Sequence, residues 1–149
     1  MAWRKIVEAD IVTQITGVEL DSYREVVLAD GQDDPVQPSI DGVTATVRGF
    51  ISANHKNDLD DDATKIPDRL IDAAVSLIVV KIISRAGQEP SDTRKTLASD
   101  ANRLLRDVAA GNFSIADPVT SQESSENAAK PIYRPSRQRT TTRQQQDGI

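Results

Sequence analysis

The sequence predicts an all-α fold, a small helical bundle of about four to five helices followed by an extended C-terminal tail. Apolar residues recur at spacings of three and four along most of the first 116 residues, which is the period of one helix face. Glycines and prolines punctuate these stretches where helices are expected to end and begin. We therefore divide the 149 residues into a helical domain over residues 1–116 and a basic, Pro/Thr/Gln-rich tail over residues 117–149.

The first part of the chain predicts two short helices. Apolar residues between Ile11 and Leu20 mark the first helix, which we expect to close near Gly17. A second short helix is expected to run through Tyr23 and Val27.

A third helix is predicted after the turn-rich segment Gly31–Pro38. Ser39 is its expected N-cap, because a serine hydroxyl can accept a hydrogen bond from the first turn. Gly42 and Gly49 weaken this helix by about 1 kcal/mol each relative to Ala, so it needs tertiary support. Its apolar face consists of Ile40, Val43, Val47, Phe50 and Ile51.

The most apolar part of the chain predicts a helix from about Asp68 to Arg85, with Pro67 as its first residue. Apolar residues cover most of its circumference, so it must be buried on nearly all sides, and we expect neighbouring subunits to supply part of that burial. The β-branched run at 78–80 leaves a strand as the alternative. The residues expected to make core or subunit contacts here are Leu70, Ala74, Ile78 and Ile82.

The last helix is predicted between Ser91 and Gly111. Its connection to the preceding helix is short, so the two should pack as an antiparallel hairpin. The core or subunit contacts expected on this helix are Leu97, Leu104, Leu105 and Val108.

The composition argues against several classes of site. Aromatic residues make up only 3% of the chain, which disfavours a platform that stacks nucleic-acid bases. The chain has no Cys and one His, His55, so disulfide scaffolds, thiolate zinc sites and paired-imidazole sites are excluded. No apolar run reaches the length of a membrane span. We expect a protein of a reducing compartment that is not an enzyme and binds no cofactor or metal.

One acidic segment has the beginning of a calcium-loop pattern. Asp58, Asp60 and Asp62 occupy the first, third and fifth positions of an EF-hand-like loop. Ala63 stands where the loop needs Gly, and Arg69 stands where it needs Glu. We therefore interpret the segment as a solvated acidic loop before a helix.

Two charged residues interrupt the most apolar helix. Asp72 and Lys81 are nine residues apart, which places them on opposite helix faces at 100° per residue. They are not expected to share a site, and each is expected to pair with a neighbouring helix or subunit.

The charge is divided between the two parts of the chain. Residues 127–149 hold five cations and one acid, a net charge of +4, so residues 1–126 carry −9 of the overall −5. The acidic part repels phosphate backbones, whereas the tail can seek an acidic protein surface or nucleic acid, or can simply improve solubility. The tail residues expected to bind a partner are Ile132, Tyr133, Arg134, Arg137, Arg139 and Arg143.

The order of these features resembles the Mu-like phage head–tail adaptor, or head-completion, proteins of the wider siphophage connector class. The similarity covers about residues 6–116 and is strongest over Pro67–Gly111, a proline-led apolar helix, a polar turn and a second helix. That second helix ends in the run from Leu104 to Ile115, a leucine-rich turn, an apolar–Ala pair, a glycine and a short extended segment. The aromatic residues expected near His55 and Leu97 are missing.

The resemblance implies a structural virion protein. It would form a closed ring, expected to be a dodecamer, beneath the portal of the DNA-filled head. Its implied partners are the portal protein, other copies of itself, and a tail-completion or tail-terminator protein, with DNA passing through without sequence-specific binding. The implied location is the virion neck, after assembly in the host cytoplasm, with no membrane contact. The portal would be the host of the tail segment.

The alternative is a small helical nucleic-acid-binding or regulatory protein with a basic C-terminal arm. Such a protein needs a recognition helix with clustered cationic and amide side chains on one face. The most cationic helix, from Arg94 to Arg106, also contains Asp100 and is followed by Asp107, so its charge is mixed.

Overall fold

The computed structural model describes residues 2–115, which form a bundle of five α-helices with one two-stranded sheet. The predicted small helical bundle is therefore confirmed. In chain order the elements are β1 (Trp3–Lys5), α1 (Glu8–Val12), α2 (Gly17–Ala29), α3 (Val36–Ser52), β2 (Lys65–Pro67), a 3₁₀ turn (Asp68–Leu70), α4 (Ile71–Arg85) and α5 (Asp92–Ala110).

Gly17 begins a helix instead of ending one, so the first predicted boundary is wrong. The Thr16 hydroxyl accepts the backbone N–H of Glu19 at 3.2 Å, which makes Thr16 the N-cap of α2. Gly17 also lacks the positive φ of a helix-ending glycine, which Gly111 has at 79°. The threonine cap thus decides where α2 begins, and α1 is limited to five residues.

α3 begins three residues before the predicted cap. Ser39 is not an N-cap but a buried residue of the first turns, since the helix starts at Val36. The prolines at 35 and 38 fit the start of a helix, because the first four N–H groups have no partner within it. At the N-terminal end of α3, the Asp34 carboxylate accepts a hydrogen bond from the Val36 N–H at 2.9 Å.

The sheet was not predicted from the sequence. β1 pairs antiparallel with β2, and Trp3 lies opposite Pro67. The N–H of Asp68 bonds the carbonyl of Ala2 at 3.1 Å, so by alternation the Trp3–Pro67 pair is a non-hydrogen-bonded one. The missing N–H of Pro67 therefore costs the sheet no backbone hydrogen bond. It precedes the 3₁₀ turn as part of β2 and is not the first helical residue that we predicted.

The two long C-terminal helices form the predicted antiparallel hairpin. Gly87 adopts a φ of 70° in the short connection between them. At the other end of the pair, the Arg69 guanidinium donates to the Ser114 carbonyl at 3.4 Å, which brings the start of α4 beside the end of α5. Ser91 caps α5, and Gly111 ends it in the left-handed conformation.

α4 is the centre of the core. Helices α1, α2, α3 and α5 all pack against it, and the run at 78–80 is helical, not a strand. Its Leu77 and Val80 remain partly exposed, whereas Ile78 and Ile82 are fully buried. The chain itself thus covers most of this apolar helix, so its composition no longer gives a reason to require burial by a neighbouring subunit.

Candidate interaction surface

The predicted packing residues differ in how deeply the structure buries them. Most of them are fully buried inside a single chain, and Leu104 is partly buried against the same core. Leu97 is the exception, because it is 46% exposed and lies beside Arg94 at the mouth of a cavity of about 150 Å³. Leu97 therefore does not belong to the core. The fully buried group consists of Leu70, Ala74, Ile78, Ile82, Leu105 and Val108.

The predicted partner-binding residues of the tail lie outside the described residues. These are Ile132, Tyr133, Arg134, Arg137, Arg139 and Arg143.

The acidic loop that resembles a calcium site is built around an arginine. The Arg48 guanidinium, projecting from α3, donates to the carbonyls of Asp60, Asp62 and Lys65 at 2.7, 3.0 and 2.8 Å. It also lies 5.9 Å from the centroid of the Trp3 ring, within the range of a cation–π contact. A cationic side chain thus occupies the position toward which these carbonyls converge.

The carboxylates of the same loop bond to the loop's own backbone and hydroxyls. Asp60 accepts the N–H of Asp62 at 2.8 Å, and Asp62 accepts the N–H of Thr64 at 3.0 Å. The two bonds from Thr64, backbone and side chain, are the main reason that the pKa of Asp62 is lowered. Within residues 2–115 no group of three or more His, Cys, Asp or Glu side chains is arranged to hold a metal ion. The backbone of the loop therefore folds around the Arg48 guanidinium.

Asp72 and Lys81 are both exposed and lie apart on α4. The ammonium of Lys81 lies against Gly42 of α3, only 2.5 Å from where a Cβ at that position would be. Gly42 therefore leaves room for the lysine between α3 and α4. The sequence alone indicates only that this glycine weakens the helix.

A partly buried ion pair joins α2 to α5. Arg94 donates to both carboxylate oxygens of Glu19, at 2.6 and 3.0 Å, and the Tyr23 hydroxyl donates to Glu19 at 2.8 Å. The hydrogen bonds from Arg94 are the main cause that lowers the pKa of Glu19, whereas burial is the main cause that raises the pKa of Tyr23. Since Arg94 is occupied, the most cationic helix has fewer free donors for a nucleic acid than its sequence indicates.

α2 and the loop that follows it carry a strongly acidic surface. Residues 17–34 hold six acids and one arginine, a net charge of −5, while residues 1–115 hold 19 acids and 13 cations, a net charge of −6. We call the outer side of α2 with its following loop, residues 17–34, the α2 surface. Six of the 19 acids of residues 1–115 therefore lie on this one segment, with only one arginine among them.

The single arginine of the α2 surface, Arg24, already forms ion pairs with three carboxylates. Arg24 contacts the carboxylates of Glu8, Asp21 and Asp34 at 2.9, 3.3 and 3.0 Å. The hydrogen bond to Glu8 is the main cause that raises the pKa of Arg24. Three further acids of the segment make no ion pair with any residue in the 2–115 range, namely Glu25, Asp30 and Asp33.

α2 also exposes three aliphatic side chains, which are spread around the helix. Leu20, Tyr23 and Val27 face the core, and at 100° per residue the opposite side carries Val18 and Glu25. Val18 is 83% exposed. Val26 and Leu28 flank it and are also exposed. A single helix of 13 residues thus presents three large aliphatic side chains together with unpaired carboxylates.

A second concave surface lies between β1 and the first half of α3. This groove has a volume of about 310 Å³ and contains Lys5, Ile40 and Thr44 in its lining. The Thr44 hydroxyl is buried without a hydrogen-bond partner within residues 2–115. Five of its nine lining residues are polar or charged, including Lys5 and Asp41, so the groove is of mixed polarity.

In the part of the chain that the structure describes, no helix has the length and apolar character needed to cross a bilayer. No family model, no curated protein and no solved structure matches this chain.

Proposed function

We propose that this chain is a structural adaptor of a phage virion, which forms a ring beneath the portal, completes the head and joins it to the tail. The proposal is supported by the resemblance of residues 6–116 to head–tail adaptor proteins. The portal, other copies of this chain and a tail-completion or tail-terminator protein are its proposed partners. It would act in the virion neck without catalysing a reaction.

One observation carries the proposal furthest, the separation of charge within the chain. The described domain is acidic, and the α2 surface is one of its acidic segments, whereas residues 127–149 carry +4. A chain with two oppositely charged binding surfaces can contact two different neighbours, which is what a connecting protein requires. An acidic inner wall would also let DNA pass without being held.

The basic tail is the proposed portal contact. Ile132 and Tyr133 would supply apolar anchors, and the arginines that follow would supply forked donors for carboxylates. The prolines at 131 and 135 would reduce the entropy lost on docking.

The test combines the full chain with a portal protein from the same genome and measures the mass of the complex by native mass spectrometry. We expect a closed ring on the portal, and we expect the variant with Arg134, Arg137 and Arg139 changed to Gln to lose it. A variant with three arginines of the described domain changed to Gln (69, 103 and 106) is the control for charge. The proposal fails if the portal and this chain stay separate, or if the tail variant occupies the portal as well as the unmodified chain.

The nucleic-acid-binding alternative predicts a different result in a simpler assay. The adaptor proposal requires weak or no binding of duplex DNA by the isolated chain at physiological salt, because the acidic domain opposes the phosphate charge. Sub-micromolar affinity in a filter-binding assay would favour the alternative.

A further inference from the structure

We infer that the α2 surface is the docking site for the basic segment Lys130–Arg143 of the same chain, in the protein before it meets a partner. The inference does not depend on the adaptor proposal, because it concerns contacts within one chain. It is argued from the charge of the two surfaces, from the exposed apolar residues of α2 and from the length of chain between them.

The charges of the two surfaces are complementary in sign and nearly equal in size. The α2 surface has a net charge of −5, or −4 once the pairing of Glu19 with Arg94 is included, and residues 127–149 have a net charge of +4. Three carboxylates of the α2 surface lack a cationic partner within the described residues, those of Glu25, Asp30 and Asp33. Arginines bind carboxylates with two parallel hydrogen bonds, so the segment carries the donors that these acids lack.

The position of two of these acids strengthens the preference for a cation. Asp30 is the C-cap of α2 and Asp33 follows in the loop, while the last turn of the helix contains no basic residue. The C-terminal end of a helix is the negative end of its dipole, where carboxylates are unfavourable and cations are stabilising. An arginine from elsewhere in the chain would therefore relieve a repulsion as well as form an ion pair.

The apolar residues give the segment a place for its aromatic anchor. Val18, Val26 and Leu28 are exposed on α2. At 100° per residue, Val26 and Leu28 lie about 160° apart, on opposite flanks of Val18. Ile132 and Tyr133 of the basic segment would therefore cover Val18 and one of these flanks. The seven steps from Ile132 to Arg139 span about 24 Å when extended, close to the length of about 20 Å of a 13-residue helix.

The chain between the domain and the segment is long enough. α2 lies at the end of the hairpin where α4 meets α5, as the Arg94–Glu19 pair and the Arg85–Gln32 hydrogen bond show. Ile115 lies at the opposite end, about 22 Å away along the 15 residues of α4. The 14 residues from 116 to 129 can reach up to about 50 Å.

The same chain is favoured over a second copy by effective concentration. A short linker holds its ligand at a local concentration on the order of millimolar. A second copy at micromolar concentration cannot compete with this.

The absence of cysteine from the chain permits a direct test by site-specific cross-linking in the full-length protein. Ser22, exposed on the outer side of α2, and Ser136, within the basic segment, are both changed to Cys and oxidised at low micromolar concentration. The matched control pairs Ser136→Cys with Ser99→Cys, on the exposed side of α5. We expect the Ser22 pair to form a disulfide within one chain at least ten times faster than the Ser99 pair.

A charge-neutralised variant tests the cause of the contact. Glu25→Gln, Asp30→Asn and Asp33→Asn together should slow the Ser22 cross-link to the rate of the Ser99 control, as should 1 M salt, because both weaken the ion pairs. Neutralising three other exposed acids, Asp58, Asp61 and Asp100, changes the net charge equally and should leave the rate unchanged.

Two results would overturn the inference. Equal cross-linking rates at the two positions would show that the segment does not prefer the α2 surface. Cross-linked dimers in place of a cross-link within one chain would assign the surface to a neighbouring copy. The portal assay is independent of both results, since it measures occupancy of another protein.

Discussion

Arg94, in the first turn of α5, holds Glu19, in the first turn of α2, by two parallel hydrogen bonds of 2.6 and 3.0 Å. The two residues are 75 positions apart in the sequence, and the pair is one of the contacts that join the N-terminal helices to the C-terminal hairpin. Both side chains are mostly buried, so solvent screens the pair less than an exposed one.

The first prediction concerns this pair. Glu19→Gln removes the charge but keeps the shape, and leaves Arg94 without its carboxylate. We expect the free energy of unfolding to fall by about 1–2 kcal/mol near neutral pH, measured by urea denaturation. Glu25→Gln, one turn and a half further along α2 and without an ion pair in the described domain, is the control and should change stability by less than about 0.5 kcal/mol.

The second prediction is the pH dependence of that difference. Arg94 lowers the folded-state pKa of Glu19 below its ordinary 4.5, so below that pH the unfolded chain binds more protons than the folded chain. The stabilisation is therefore present above about pH 4.5 and is lost as the pH falls through the folded-state pKa. The stability difference between the unmodified chain and Glu19→Gln should shrink as the pH falls below about 4.5. A difference that stays constant over this range would contradict the assignment.

The third prediction uses two glycines of opposite role. Gly49 is exposed inside α3, and a Cβ there would have no heavy atom within 4 Å, so Gly49→Ala should raise the free energy of unfolding by about 0.5–1 kcal/mol. Gly111 has a φ of 79°, so Gly111→Ala should lower it by about 1 kcal/mol through backbone strain. Thermal unfolding of both variants checks the two signs, and the same sign for both would be inconsistent with the structure.

The fourth prediction tests Arg48 as the organiser of the acidic loop. Arg48→Met keeps most of the apolar stem but removes the donors to three loop carbonyls. We expect a loss of about 2–3 kcal/mol and faster amide hydrogen exchange at residues 60–65. Arg69→Met, which loses one long bond of 3.4 Å, is the control and should leave the exchange of that loop unchanged. Unchanged loop exchange in the Arg48 variant would show that the loop is held by its own turns.

The fifth prediction separates core from surface along the hairpin. Ile78 is fully buried, so Ile78→Asp should unfold the domain by burying an unpaired charge, and Ile78→Ala should cost about 2–5 kcal/mol. Leu97→Asp, at a position 46% exposed, should remain folded. Circular dichroism and urea denaturation distinguish the three variants. A folded Ile78→Asp protein would mean that α4 is not the centre of the core.

The helical character of the chain was predictable because local periodicity carries it. The start of α5 at Ser91 and its stop at Gly111 lie within one stretch of sequence, and both appear in the structure. Of its predicted packing residues, Leu105 and Val108 are fully buried, whereas Leu97 is exposed. Helix starts were predicted less well where two signals competed. At Gly17 the threonine cap took precedence over the glycine, and at Ser39 the prolines carried the helix start back to Val36.

The candidate surfaces were harder to predict, because they depend on which charges meet. The acids of residues 17–34 are visible in the sequence, but only the structure shows that Arg24 is shared among Glu8, Asp21 and Asp34. The tail residues proposed as partner contacts lie outside the described residues and remain predictions.

The sequence by itself determined the helical class, the antiparallel C-terminal pair and the division between an acidic domain and a basic tail, since each follows from local pattern or from counting charges. The tertiary structure alone decided three things. It placed Trp3 opposite Pro67, it turned the acidic loop around Arg48, and within residues 2–115 it left Val18 of α2 exposed while enclosing α4. These depend on contacts between residues distant in the chain, which periodicity and composition do not encode.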